Sequence, residues 1–129
     1  MAVSKDMPIL IVDDYKSMLR IIHGLLQQLG FSNVDEAMDG KTAYDMICNR
    51  QYGLVISDWN MQPVTGLDLL KTVRANPTTA KLPFIMVTAE ARTENVVVAR
   101  QAGVNNYIIK PFTQQVLKQK LAAVLGEFA

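Results

Sequence analysis

The chain has a single cysteine, Cys48, so an internal disulfide is excluded, and a reducing compartment fits. It also lacks any apolar stretch near the roughly 18 residues of a membrane span, and its polar start carries no secretory core. A soluble cytoplasmic protein is expected. Charge of one sign is missing too. The formal net charge is +1, which leaves no electrostatic footprint for nucleic acid or an anionic membrane. No P-loop pattern and no glycine-rich dinucleotide fingerprint is present, so ATPase, GTPase and dinucleotide-binding readings lack their phosphate cradles. Linkers, internal repeats and low-complexity segments are absent as well. What remains is 129 residues, half of them hydrophobic, enough for one domain with a real core.

That domain is organised around residues 54–58, an apolar run with β-branched Val55 and Ile56 that ends in Asp58. Such a run suits a strand buried on both faces of a parallel sheet. Residues 8–12 form a similar run ending in Asp13 and Asp14. A helix follows, with Met18, Ile22, Leu25 and Leu29 at helical spacing, Leu19 and Leu26 beside them, and Gly30 as its stop. His23 in this helix reads as a surface or boundary histidine rather than a phosphoacceptor. Residues 33–37 are a weak strand, Asp39-Gly40 a turn signal, and Ala43, Tyr44, Met46 and Ile47 mark a second helix ending near Asn49. Cys48 is expected to be buried or half-buried there.

After Asp58, residues 59–65 form a loop with Pro63, and Gly66 leads into a third helix with Leu67, Leu70 and Val73 on one face. Asn76-Pro77 ends it. Residues 83–87 are a fourth strand with Thr88 at its end. A helix from Thr93 or Glu94 to Gln101, closed by Gly103, precedes a fifth strand over residues 106–109, which Lys110 terminates. Thr113 caps the last helix, with Leu117, Leu121, Val124 and Leu125 inward. Strand and helix thus alternate five times. The expected fold is α/β, a doubly wound five-stranded parallel sheet of order 2-1-3-4-5, flavodoxin-like.

In such a sheet the C-terminal strand ends share one edge. Asp13, Asp14, Asp58, Thr88 and Lys110 therefore meet there. Singly, each reads as well as a turn, cap or solvated residue; their joint placement points to chemistry. Like-charged carboxylates so close need a cation, and hard oxygen ligands suit Mg²⁺. A lysine and a hydroxyl opposite could hold phosphate oxygens. The set fits phosphoryl transfer to a carboxylate.

The sequence resembles the receiver domain of the two-component response regulators, and more narrowly the single-domain chemotaxis regulators. The resemblance spans nearly the whole chain. It rests on Val12-Asp13-Asp14, Ile56-Ser57-Asp58-Trp59-Asn60-Met61, Val87-Thr88-Ala89-Glu90-Ala91, Gln101-Ala102-Gly103 and Tyr107-Ile108-Ile109-Lys110-Pro111-Phe112. It implies that Asp58 is the phosphoacceptor and that Asp13, Asp14, Asp58 and the backbone carbonyl of Asn60 hold Mg²⁺. It further implies that Thr88 and Lys110 contact the phosphoryl group, that Ala89 leaves access to it, and that Thr88 and Tyr107 form the switch. Lys110-Pro111 is then a cis peptide bond, and Asn60 and Glu90 tune how fast the phosphoryl group is lost. The implied partner surface includes Ala91, Tyr107, Ile109, Thr113 and Lys120. One departure is visible: the family's proline four residues after the acceptor is Gln62 here, Pro63 follows, and Gly66 keeps its usual distance. The loop path should shift locally and the metal site survive.

The function so implied is a stand-alone regulator, residues 1–129 without an output domain, monomeric. It takes a phosphoryl group from a sensor histidine kinase and switches a contact with a flagellar motor switch protein. It is a signalling phosphoacceptor that assists its own phosphorylation and dephosphorylation, not a metabolic enzyme. A shuttle to a histidine phosphotransfer protein or a phosphate sink stands beside this reading. An FMN-binding flavodoxin-like protein would want a phosphate-cradling loop where Asp13-Asp14 stands. A hydrolase with an aspartyl-phosphate intermediate would need a substrate cap.

Overall fold

The unbroken apolar runs of residues 9–12, 54–56 and 84–87 cannot leave either face in water, and the computed structural model shows how both are covered. It describes residues 5–89 and 92–126. The order is β1 (Ile9–Val12), α1 (Lys16–Gln28), β2 (Val34–Ala37), α2 (Gly40–Asn49), β3 (Leu54–Asp58), α3 (Gly66–Ala75), β4 (Phe84–Thr88), α4 (Thr93–Gln101), β5 (Asn106–Ile109) and α5 (Gln114–Leu125). All pairings are parallel, in the order β2-β1-β3-β4-β5. This is the doubly wound, flavodoxin-like sheet expected from the sequence. Among the described residues, no helix is long and apolar enough to cross a membrane.

Side-chain alternation along the strands sorts the core into two layers. Leu10, Val12, Val55, Phe84 and Met86 face one way, onto Ala43 and Ile47 of α2, Leu69, Leu70 and Val73 of α3, and Ala99 of α4. Ile9, Ile11, Leu54, Ile56, Ile85, Val87 and Ile108 face the other way, onto Leu19, Ile22 and Leu26 of α1 and Leu117 and Leu121 of α5. The buried stripe of α1 is therefore Leu19, Ile22 and Leu26, with Met18, Leu25 and Leu29 half-buried along its border.

Helix boundaries follow their caps. Gly30 sits at φ +99°, the left-handed position that ends α1. Asp39-Gly40 is the start of α2 rather than a free turn, because the Asp39 side chain accepts from the Thr42 N–H. Thr65 and Asp68 form a reciprocal capping box at α3. Thr113 caps α5 by accepting from the Val116 N–H. The expectation for Cys48 is corrected: it is exposed, because the inward stripe of α2 runs through Ala43 and Ile47 and turns Cys48 to solvent.

Candidate functional site

Each strand along the site ends in a group with chemistry. β1 delivers Asp13 and Asp14, β3 ends in Asp58, β4 in Thr88, and Lys110 follows β5. A ligand oxygen from each of Asp13, Asp14 and Asp58 lies within 4.8 Å of the others. Asp13 is fully buried, Asp58 is 4% exposed, and Asp14 is exposed. The Lys110 ammonium enters this cluster, 3.1 Å from Asp58 Oδ1 and 3.3 Å from Asp13 Oδ2. The chain thus brings together all four charged residues expected at the site. Thr88 is buried at the end of β4, and its carbonyl accepts from the Lys110 N–H at 2.8 Å, which ties the lysine to the strand beside the acceptor.

The electrostatics follow from counting. Two buried carboxylates face one lysine, and the exposed Asp14 adds a third negative charge. Burial pushes the Asp58 carboxyl above the usual carboxylate range, against the Lys110 hydrogen bond, with Asp13 and Asp14 adding to the rise. Burial does the same to Asp13, opposed by the Tyr15 N–H at 2.9 Å from Oδ1 and by Lys110. For Lys110 burial pulls downward, yet the hydrogen bonds and charges of Asp58 and Asp13 outweigh it and hold the ammonium above its ordinary value. The cluster is short of positive charge, and its donors are hard oxygens. That is the donor chemistry a Mg²⁺ ion takes, so the residues present fit the ion.

The loop after β3 is anchored where it leaves the acceptor. The Trp59 N–H donates to the Val87 carbonyl at 3.1 Å, and the Trp59 carbonyl accepts from Met61 and Gly66. Gly66 has no room for a side chain: a Cβ would lie 2.2 Å from the Asp58 carbonyl oxygen. That close approach requires glycine at position 66. Met61 is buried, and Asn60, Gln62 and Pro63 are exposed beside the site. Both Gln62-Pro63 and Lys110-Pro111 are cis peptide bonds.

The remaining expected positions are less uniform. Ile109 and Thr113 are exposed and Lys120 is half-buried, while Glu90 and Ala91 lie outside the described residues. Tyr107, expected on the partner surface, is 8% exposed and lies inward on the sheet face. His23 pairs its Nδ1 with Glu36 Oε2 at 2.8 Å on the surface, away from the carboxylates. Sequence reasoning missed that Trp59 meets Tyr107 edge-on, with ring centroids 6.2 Å apart. Strand alternation carried that signal, since Trp59 stands two residues beyond Ser57, whose partner's partner across the sheet is Tyr107.

Comparison with known proteins agrees with this geometry. The response regulator receiver domain family matches residues 9–122. The chain is 51% identical over 118 residues to the chemotaxis protein CheY of Pseudomonas aeruginosa, covering 92% of this chain and 95% of that protein. It is equally similar to CheY-3 of Vibrio cholerae, over 92% of this chain and 91% of that one. Among solved structures, Vibrio cholerae CheY4 superposes with a TM-score of 0.87 at 30% identity, covering 93% of this chain and 99% of that chain. The receiver domain of a Pseudomonas aeruginosa sensor histidine kinase, with a magnesium ion coordinated in its active-site cleft, gives 0.85 at 27% identity, over 95% and 99% of the two chains. A five-stranded parallel sheet, an acidic strand-end cluster crossed by a lysine, and a family match over most of the sequence agree on one conclusion: this chain belongs to the response regulator receiver domain family.

Proposed function

We propose that this chain is a phosphorylation switch of the chemotaxis type, acting in the cytoplasm, with Asp58 as phosphoacceptor. The observation that carries this is the buried Asp58 carboxylate at the end of the central strand, 3.1 Å from Lys110. A carboxylate oxygen of Asp58 attacks the phosphorus of a kinase phosphohistidine. The P–N bond breaks, the imidazole nitrogen leaves with the bond pair and takes a proton from solvent, and an acyl phosphate remains. Lys110 supplies a fixed positive charge to the incoming phosphoryl oxygens, and the Thr88 hydroxyl serves as their hydrogen-bond donor. Asp13, Asp14, Asp58 and the Asn60 carbonyl would hold Mg²⁺, which when bound offsets the charge gathered on the carboxylates and the phosphoryl group. Water attack on the same phosphorus, in the same charge environment, returns the switch to rest.

The relatives at 51% identity are chemotaxis proteins, which supports a flagellar motor switch protein as the output partner. The output face comprises α4, β5 and α5. Lys120→Glu reverses a charge on it without touching the carboxylate cluster. Partner binding should weaken by about tenfold, the scale of a reversed interfacial charge, while labelling of Asp58 stays normal. Isothermal titration with the phosphoryl mimic beryllium fluoride, alongside labelling of the same preparation, separates this from misfolding, which would lower both.

Trp59 is the only tryptophan and directly follows Asp58. Titrating Mg²⁺ into the chain should change its emission with weak affinity, and Asp13→Ala with Asp14→Ala should remove the change. An unaltered titration in that double variant would refute the assignment of the metal site.

A further inference from the structure

Trp59 and Tyr107 belong to different parts of the sheet. Trp59 follows β3, Tyr107 lies in β5, and β4 runs between them. Ser57, Met86 and Tyr107 stand in one row across the three strands. Trp59, two residues beyond Ser57, leaves on the same face. The two rings meet there at 6.2 Å with their planes 74° apart, an edge-to-face pair. One member of the pair is rooted. The Trp59 N–H is bonded to the Val87 carbonyl at 3.1 Å, and its own carbonyl accepts from the Met61 N–H at 3.1 Å and the Gly66 N–H at 2.9 Å. Gly66 packs against the Asp58 carbonyl so closely that no Cβ fits. The indole therefore starts from a fixed peptide. Tyr107 is 8% exposed, so its ring occupies the inward position.

We propose that Trp59 is a positioning residue, an anchored aromatic stop that holds the Tyr107 ring inward. An edge-to-face pair corresponds to a bias of about 2- to 12-fold in the ratio of inward to outward rings. Its functional consequence rests on the switch reading above. If activation turns this ring inward, as the family resemblance implies, a ring already held inward leaves the phosphoryl group less of the equilibrium to shift.

The test uses the full chain labelled with fluorotyrosine and read by fluorine NMR, with no metal and no phosphodonor. The four tyrosines give four lines, and Tyr107→Phe identifies that of Tyr107. In Trp59→Leu this line should move toward the solvent-exposed position, by at least about a twofold fall in the inward-to-outward ratio. Trp59→Phe should reverse most of the movement, because it restores a ring. Tyr44, bonded to Asn76, and Tyr52, bonded to Asp35, report whether the fold is intact. An unmoved Tyr107 line in folded Trp59→Leu overturns the proposal. If that variant does not fold, Tyr107→Leu decides: the Trp59 emission should shift to the red on losing its ring partner, and an unchanged spectrum overturns the proposal. Neither readout involves phosphate, so a failure here leaves the assignment of Asp58 to be tested by labelling.

Discussion

Asp13→Asn is expected to make the protein more stable and to abolish its phosphorylation. The two effects have one cause. Asp13 is fully buried, and its carboxyl lies above the usual carboxylate range, chiefly through burial. A folded-state pKa that is raised means the fold favours the neutral acid. Stability is therefore fullest at low pH and falls as pH rises through the ordinary carboxylate range and then the raised value. Asparagine keeps the shape and removes the charge, so about 1–2 kcal/mol should return at pH 7. For a chain of this size that is about 3–8 °C in Tm. The gain should shrink toward pH 3, where the native carboxyl is protonated as well. Added Mg²⁺ should stabilise the native chain and not the variant. Thermal melts at several pH values, with and without Mg²⁺, measure all of this, and a lower Tm for Asp13→Asn at pH 7 would contradict the charge count.

Lys110→Ala should have the opposite sign and a larger size. Its ammonium is the cation shared by Asp58 and Asp13, at 3.1 and 3.3 Å. Removing it leaves two buried carboxylates facing each other. Breaking a buried pair from one side costs about 3–5 kcal/mol. Part of this is regained here because Lys110 keeps 17% of its side chain exposed and water can enter. A loss of about 2–4 kcal/mol at pH 7 is expected. With the lysine gone, both carboxyls rise further, so stability should recover as pH falls. Combining Lys110→Ala with Asp13→Asn should cost less than the sum of the two single effects, since the second change removes one of the charges the first leaves stranded. Denaturant titrations of the two single variants and the pair test this, and strict additivity would show that the three side chains do not act as one cluster.

The parts of the fold governed by local pattern were legible in the sequence. Residues 54–58 and 106–109 are the observed third and fifth strands, and the strand order followed from the alternation of elements. The acidic edge was legible for the same reason, because parallel strands place their C-terminal ends together. What the sequence hid depends on orientation within an element. Cys48 turned outward because one step along a helix rotates a side chain by about 100°. Leu69 shares the buried face of α3 with Leu70, which a single helical stripe through Leu67, Leu70 and Val73 did not separate. Tyr107 matched a motif that placed it on a partner surface, yet its packing against Trp59 is a contact between residues 48 positions apart, and only the register of three strands shows it.

The identity of the acceptor bears most directly on the whole account. The full chain, incubated with acetyl phosphate and Mg²⁺ and then digested for mass mapping of acid-labile phosphoryl groups, should carry one label, on Asp58. Asp58→Asn should carry none. A label on His23, or one that persists in Asp58→Asn, would contradict the account.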